Sequence, residues 1–281
     1  MLPGPRRDRI VGVVVSYALL ISVAAVFLVP LLFMLVASLK PDLDVLAESN
    51  SLKAFWPGRL ENNYFEAFIT SDFTRIFLNS VIITGSVVAL GTLINSMAGY
   101  ALAWVPFKGQ RLVLGFAVAM YIVPFQAVAI PLLLFFSGVQ IVDTYLVQII
   151  PFIASPFFIY LFYSFFLDLP KELFEAARID GAGIVRSYVS IALPLIKPAL
   201  ATSAILSFLL IWGGLFWPVM VTRTEASRPI TVGLSQVAGM LPTQWGDIMA
   251  MSVAISAPIL IVFLIFQPAF IRSIASSGLK G

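Results

Sequence analysis

The chain has 281 residues, 60% hydrophobic and only 11% charged, with a mean hydropathy of +1.01; a soluble domain of this length carries about a quarter charged residues. So apolar a chain does not fold around one water-soluble core and reads as a polytopic membrane protein. It holds no cysteine and no histidine, which excludes disulfides, thiolate or imidazole metal sites, cysteine nucleophiles and histidine-based triads, and its net charge of +3 says less than where the positive residues lie.

Six stretches are long enough to cross a hydrocarbon core of about 30 Å, which takes roughly 20 helical residues: about 11–38, 77–104, 112–136, 145–167, 195–221 and 248–271. The first is too long for a signal-peptide core and lacks a clear small-residue cleavage site, so it reads as a retained helix. The segment 39–76 follows, with Trp56-Pro57-Gly58 and Glu61-Asn62-Asn63-Tyr64; it is too polar to span and too short for a domain of its own. In the second span Gly91, Asn95, Gly99 and Ala103 recur every four residues. They form one narrow face where another helix comes close, with Asn95 as an interhelical hydrogen bonder.

Prolines interrupt the spans at Pro30, Pro124, Pro131, Pro151, Pro156, Pro218 and Pro258. Each removes a backbone donor and tends to kink a helix, which is either routine bundle geometry or a broken helix lining a pathway. The second reading fits best at Pro124-Phe125-Gln126, where a polar side chain follows the break. In the fifth span Trp212 precedes a Gly213-Gly214 pair, with Phe216 and Trp217 just beyond. The segment 222–247 includes Arg228-Pro229-Ile230 and Leu241-Pro242-Thr243-Gln244-Trp245, suited to interfacial anchoring or to docking a soluble partner.

Apart from Lys197 at the inner end of the fifth, the spans contain no Lys, Arg, Asp or Glu. With the N-terminus inside, eleven basic residues lie on the inner side and six on the outer. The positive-inside bias then predicts cytoplasmic termini and a cytoplasmic segment 168–194.

That segment is the most polar, well-patterned stretch of the chain. Pro170 suits a helix start, and Glu172 and Glu175 lie near the positive end of the dipole. Ala176 and Ala177 favour helix with little bulk, and Gly181 suits a left-handed C-terminal turn. A second short helix is predicted over 183–192, with Val185, Tyr188, Val189 and Ala192 on one face, before Leu193-Pro194 redirects the chain. Glu175 can equally pair with Lys171 or Arg178, and Asp180 can be a simple turn residue.

The whole string Glu175-Ala176-Ala177, three residues, Gly181, nine residues, Ile191-x-Leu193-Pro194 resembles the EAA signature of ABC importer membrane subunits. Asp180-Gly181-Ala182 is similar to the carbohydrate-uptake, maltose-importer-like branch. Asn62-Tyr64, Asn79-Ser80, Tyr100-Ala101-Leu102-Ala103, Phe107-Lys108-Gly109 and the C-terminal Gly278–Gly281 add to the likeness, which covers most of the chain. Relatives commonly carry Trp-Asn in the fifth span, where this chain has Trp212-Gly213.

The resemblance implies an all-α integral membrane protein of six transmembrane helices in one permease domain over 1–281, with the type I ABC importer permease fold and a cytoplasmic coupling helix. It implies a multi-pass subunit of the bacterial inner membrane working with a second permease subunit, two cytoplasmic ATPase subunits and an external solute-binding protein. Glu175, Ala176, Ala177, Asp180, Gly181, Ala182, Ile191, Leu193 and Pro194 would form the contact with the ATPase, and the tail Gly278–Gly281 would touch it too. The chain lacks a Gly-x-x-x-x-Gly-Lys-[Ser/Thr] loop, so ATP and Mg²⁺ are expected on the partner subunits and no cofactor or metal here. No nucleic-acid partner is expected, and lipid surrounds the spans.

Sugars are held by hydrogen bonds and by aromatic faces against their apolar ring surfaces, which makes Gln126, Trp212, Phe216 and Trp217 the candidate pathway residues. Without an intramembrane acid, imidazole or thiol, an intramembrane enzyme is disfavoured, and a stand-alone channel has no need of the insert. A sugar, oligosaccharide or glycoside is the expected solute; a glycerol-phosphate-type or other small polar solute is the alternative.

Overall fold

A computed structural model describes residues 6–278, with side chains over 12–266. The side chains of Arg6, Arg7, Arg9, Arg272 and Lys280, used above for sidedness, and of the tail Gly278–Gly281 lie outside the described residues. Every regular element among the described residues is helical.

The chain opens with α1 (Arg6–Ala37), followed by α2 (Asp42–Glu48) and α3 (Asn63–Thr70). Then come α4 (Phe73–Trp104), α5 (Gln110–Ile122) and α6 (Phe125–Gly138), and α7 (Tyr145–Ile149) and α8 (Pro156–Leu167). The polar insert forms α9 (Lys171–Ile179) and α10 (Ile184–Ser187), and α11 (Leu193–Leu195) leads into α12 (Lys197–Trp212). The chain continues through α13 (Phe216–Val221), α14 (Ile230–Ala238) and α15 (Trp245–Gly278).

Three helices are by themselves long and apolar enough to cross a membrane: Gly12–Ala37, Phe73–Trp104 and Trp245–Phe266. Three more qualify as bent pairs. Gln110–Ile122 and Phe125–Gly138 turn by 100°, Tyr145–Phe152 and Pro156–Leu167 by 42°, and Ile184–Leu195 and Lys197–Trp212 by 79°. Proline explains the first bend: Pro124 has no N–H, and its ring holds the preceding Val123 extended at φ −73°, ψ 118°. The stretch 195–221, expected as one span, is instead two helices interrupted after Trp212 by Gly213-Gly214.

The contacts divide the chain into two compact units, Met1–Ser71 with Leu234–Ser256, and Asp72–Gly233 with Ala257–Gly281. In the first, α1 from Gly12 on is apolar all round and largely exposed, as suits a helix against lipid or another protein. Polar bonds stitch the following segment to its end. Asn63 Nδ2 donates to the Ser38 and Lys40 carbonyls at 3.0 and 2.8 Å, and the Tyr64 and Ser38 hydroxyls lie 2.8 Å apart. Lys40 is 2% exposed, and its ammonium is satisfied by Glu48 Oε2 at 2.8 Å and the Lys53 carbonyl at 2.7 Å.

In the second unit α4 packs along α8 and α12. The small-residue face predicted on α4 makes this possible. A Cβ on Gly99 would lie 2.7 Å from Phe162 Cβ and 2.8 Å from the Tyr163 amide nitrogen, so only glycine lets the two backbones approach this closely. Asn95 is buried and bridges helices as expected: its Nδ2 donates to the Gly91 carbonyl and to the Ile153 carbonyl at 3.3 Å, and its Oδ1 accepts the Ser155 amide at 2.8 Å. It thereby satisfies the backbone freed where the chain breaks before Pro156.

Candidate functional site

The insert folds much as its residues dictate. Pro170 is the residue before α9, and Glu172 lies in the first turn. At the other end the Gly181 amide donates to the Arg178 carbonyl at 3.1 Å and the Ala182 amide to the Ala177 carbonyl at 2.8 Å, the paired bonds of a Schellman turn. Gly181 has φ +77°, a conformation costly for a side chain with a Cβ.

The two alanines of the string have separate fates. Phe174 and Ala177 face inward, while Glu175, Ala176, Asp180, Gly181 and Ile179 are exposed, Ile179 to 87%. Among the described residues Glu175 makes no ion pair with Lys171 or Arg178. The second helix departs from the predicted face. Tyr188 and Ala192 are buried, but Val185 and Val189 are exposed, Val185 to 73%. A π-helical turn over Tyr188–Ala192 departs from the 3.6-residue register at Val189; Val185 precedes that turn, in α10. Ile191 and Leu193 pack against the core, Ala182 is half-buried, and Pro194 is exposed.

An aromatic cluster anchors this loop. Phe174 stacks on Trp104, Tyr100 lies edge-on to Phe166 with centroids 5.3 Å apart, and the Tyr100 and Tyr188 centroids are 5.2 Å apart. Hydrogen bonds fix it in depth: the Trp104 indole N–H donates to the Phe166 carbonyl at 2.9 Å, and the Tyr188 and Ser96 hydroxyls lie 2.7 Å apart. Sequence reading assigned Phe174 and Trp104 no role, although an aromatic in so polar a helix is itself a signal of burial.

The same unit holds a half-open cavity of about 830 Å³. Gln126, Phe216 and Trp217 line it, and Trp212 does not. Trp212 is 3% exposed and packs between Phe77 and Phe208, with centroids at 5.7 and 5.4 Å. Gln126 is brought there by the bend at Pro124, which points the first turn of α6 at the cavity. Trp217 forms wall: its indole N–H donates to the Val147 carbonyl at 2.9 Å, and its ring lies 5.5 Å from that of Phe125. No Lys, Arg, Asp or Glu lines the cavity.

One end of the cavity is bounded by Ser80, Gln148 and Pro229, part of a hydrogen-bonded knot over residues 222–230. Asn79 Nδ2 donates to the Arg228 carbonyl at 2.8 Å while its Oδ1 accepts the Tyr145 hydroxyl at 2.6 Å. Ser80 Oγ accepts the Ile230 amide at 2.7 Å. Gln148 Nε2 donates to the Ser227 carbonyl at 2.8 Å. Asp143, in the loop before α7, accepts from the Arg223 amide at 2.9 Å and the Thr224 hydroxyl at 2.7 Å. Burial alone would raise its pKa. The hydrogen bonds from the Thr224 hydroxyl, the Arg223 and Thr224 amides and the Ser227 hydroxyl outweigh that and hold the carboxyl below its ordinary range. Sequence reading missed Asp143, Tyr145 and Gln148; the available signal was a glutamine inside an otherwise apolar span.

Bent apolar helices around an uncharged cavity, with a structured polar loop hung on the bundle, are an arrangement suited to moving a solute across a membrane. Residues 91–276 match the profile of the binding-protein-dependent transport system inner membrane component, and the chain belongs to that family: it is a non-catalytic permease subunit of an ABC importer. It is 35% identical over 263 residues to the arabinooligosaccharides transport system permease protein AraQ of Halalkalibacterium halodurans, covering 93% of each chain. It is 32% identical over 271 residues to the diacetylchitobiose uptake system permease protein NgcG of Streptomyces coelicolor, covering 95% of this chain and 87% of that one. Its fold matches a chain in the crystal structure of a bacterial ABC transporter that imports the acidic polysaccharide alginate, with TM-score 0.80 at 24% identity over 95% of this chain and 99% of that one.

Proposed function

We propose that this subunit passes a sugar, oligosaccharide or glycoside across the bacterial inner membrane through six spans of one permease domain, with both termini in the cytoplasm. A second permease subunit completes the pathway, an external binding protein delivers the solute, and two cytoplasmic ATPase subunits bind ATP and Mg²⁺ and drive the cycle. The eleven-to-six distribution of basic residues supports the sidedness, and the sugar-uptake names of the relatives support the solute class.

The observation that carries the coupling reading is the split face of α9. Phe174 and Ala177 are spent on anchoring, which leaves Glu175, Ala176 and Ile179 outward. An exposed isoleucine beside a carboxylate and a small alanine suits a groove on a soluble partner. Asp180, Gly181 and Ala182 close the helix that carries this face, and Ile191, Leu193 and Pro194 lead it back into α12. Movement of the ATPase pair would reach the bundle through that anchored helix.

The pathway reading rests on the cavity, with Gln126, Phe216 and Trp217 on its wall and Trp212 as support behind it. A phosphorylated solute is less well served, because the lining offers no cation. The test is ATP-driven uptake by the four-subunit complex in vesicles supplied with its external protein, together with identification of the ligand that protein retains. Undiminished uptake in a Gly181→Arg complex would remove the coupling assignment, and an external protein that retains a glycerol phosphodiester would replace the sugar.

A further inference from the structure

We infer that Gln148 is a specificity-determining residue of this subunit, whose side-chain carbonyl accepts a hydrogen bond from a neutral, hydroxyl-rich solute in the cavity. The inference rests on the import reading above and adds to it a residue and a charge class.

Gln148 is 1% exposed. Its amide orientation is decided by its partner: Nε2 donates to the Ser227 carbonyl at 2.8 Å, and the reverse orientation would set two carbonyl oxygens against each other. Oε1 is therefore committed to the other side, and it finds no hydrogen-bond partner within the chain. Buried acceptors are nearly always paired, and one left over calls for an explanation. Gln148 lines the cavity together with the hydroxyl-bearing Thr84 and Ser207, so a hydroxyl of a solute held there is the donor the geometry lacks.

The aromatic part of the lining agrees in its chemistry. The Phe125 ring lies 5.1 Å from that of Phe152 and 5.5 Å from that of Trp217, and aromatic side chains are what covers the apolar faces of sugars. A carbonyl oxygen and the negative faces of aromatic rings both repel an anion, and the lining provides no cation to offset its desolvation. The carbonyl is closed off from water in this conformation, so a solute hydroxyl reaches it as the amide turns or as residues 222–229 lift. The nitrogen of the same amide holds that segment, so solute occupancy and the tie to Ser227 are linked through one side chain.

The test uses the intact transporter, purified with its companion permease and ATPase subunits and without the external protein. Saturation-transfer NMR would measure binding of arabinotriose and diacetylchitobiose as neutral probes and of glycerol 3-phosphate as the anionic one. Two variants separate the two ends of the amide. Gln148→Lys keeps a donor for the Ser227 carbonyl and deletes the acceptor; Gln148→Glu keeps an acceptor and loses the donor. Copurification of all subunits checks assembly of each.

The wild type is expected to bind the neutral probes in preference to glycerol 3-phosphate. Gln148→Lys should weaken neutral binding by about five- to tenfold, the loss of one hydrogen bond, and more than Gln148→Glu does. Equal neutral binding in wild type and Gln148→Lys overturns the inference, as does a wild type that prefers glycerol 3-phosphate or binds neither neutral probe. If the wild-type complex drives ATP-dependent sugar uptake and Gln148→Lys binds as wild type does, the import reading stands and the role of Gln148 falls.

Discussion

Phe174 on α9 lies face to face on the indole of Trp104 at the end of α4, with ring centroids 4.0 Å apart and planes 25° from parallel. The stack ties the polar loop to a helix about 70 residues earlier in the chain and is backed by the Trp104 bond to the Phe166 carbonyl. Truncating a packed phenylalanine costs about 3–5 kcal/mol, more than a short surface helix holds on its own. In Phe174→Ala the amides of 174–182 are expected to lose hydrogen-exchange protection, and the ATPase rate stimulated by the loaded external protein should fall. Phe174→Leu should recover part of both. Unchanged protection in Phe174→Ala would show that the stack does not hold the loop.

Gly181 is a test of conformation alone. A Cβ there meets nothing within 4 Å, so the φ of +77° is the whole difficulty. Gly181→Ala should destabilise the end of α9 by about 1 kcal/mol, and Gly181→Asn, which tolerates the left-handed region, by less. Uptake rates ordered glycine, asparagine, alanine would fit this account; equal rates in all three would not.

Gly99 is the opposite case, with a tolerant backbone and no room. Gly99→Ala forces a Cβ to within 2.7 Å of Phe162 and 2.8 Å of the Tyr163 nitrogen, and overpacking of this kind costs about 1–3 kcal/mol. The thermal unfolding midpoint of the purified complex should drop, and Gly91→Ala, whose nearest neighbour would be at 3.6 Å, should be tolerated far better.

Asp143 gives a pH signature. Its carboxyl titrates below the ordinary range when folded, so its contribution is complete above the unfolded value of about 3.9 and is lost as pH falls through the lower folded value. Amide exchange at Arg223 and Thr224, corrected for intrinsic rate, is expected to be flat from about pH 5 to 8 and to accelerate only below about pH 4. Asp143→Ala should show fast exchange across the whole range. Loosening of the wild type between about pH 5 and 7 would assign the titration to another group.

What the sequence made legible was whatever is written locally. Prolines announced the breaks near Pro124 and Pro156, and the four-residue repeat Gly91, Asn95, Gly99 announced the close contact of α4. Gly181 announced the turn. Legibility failed where the partner is distant or the period changes. Val185 and Val189 fit a helical face on paper, but both are exposed, and the period changes at the π turn over 188–192. Trp212 and Trp217 look alike in sequence, and only the fold sets one in packing and the other on a cavity wall. Asp143 and Gln148 acquire meaning from Thr224 and Ser227, about 80 residues away, a separation no local pattern records.

One further consequence attaches to α4. Its 32 residues contain no proline, whereas the neighbouring apolar helices are interrupted at Pro124, before Pro156 and at Gly213-Gly214. Near one end it carries Asn79 and Ser80, bound to residues 225–230, and near the other Trp104, stacked on Phe174. An uninterrupted helix about 48 Å long has no soft joint at which to absorb torsion. Were the loop at Phe174 displaced, α4 would carry a rotation from Trp104 towards Asn79 as a drive shaft does, with the flexing left to the broken helices around it.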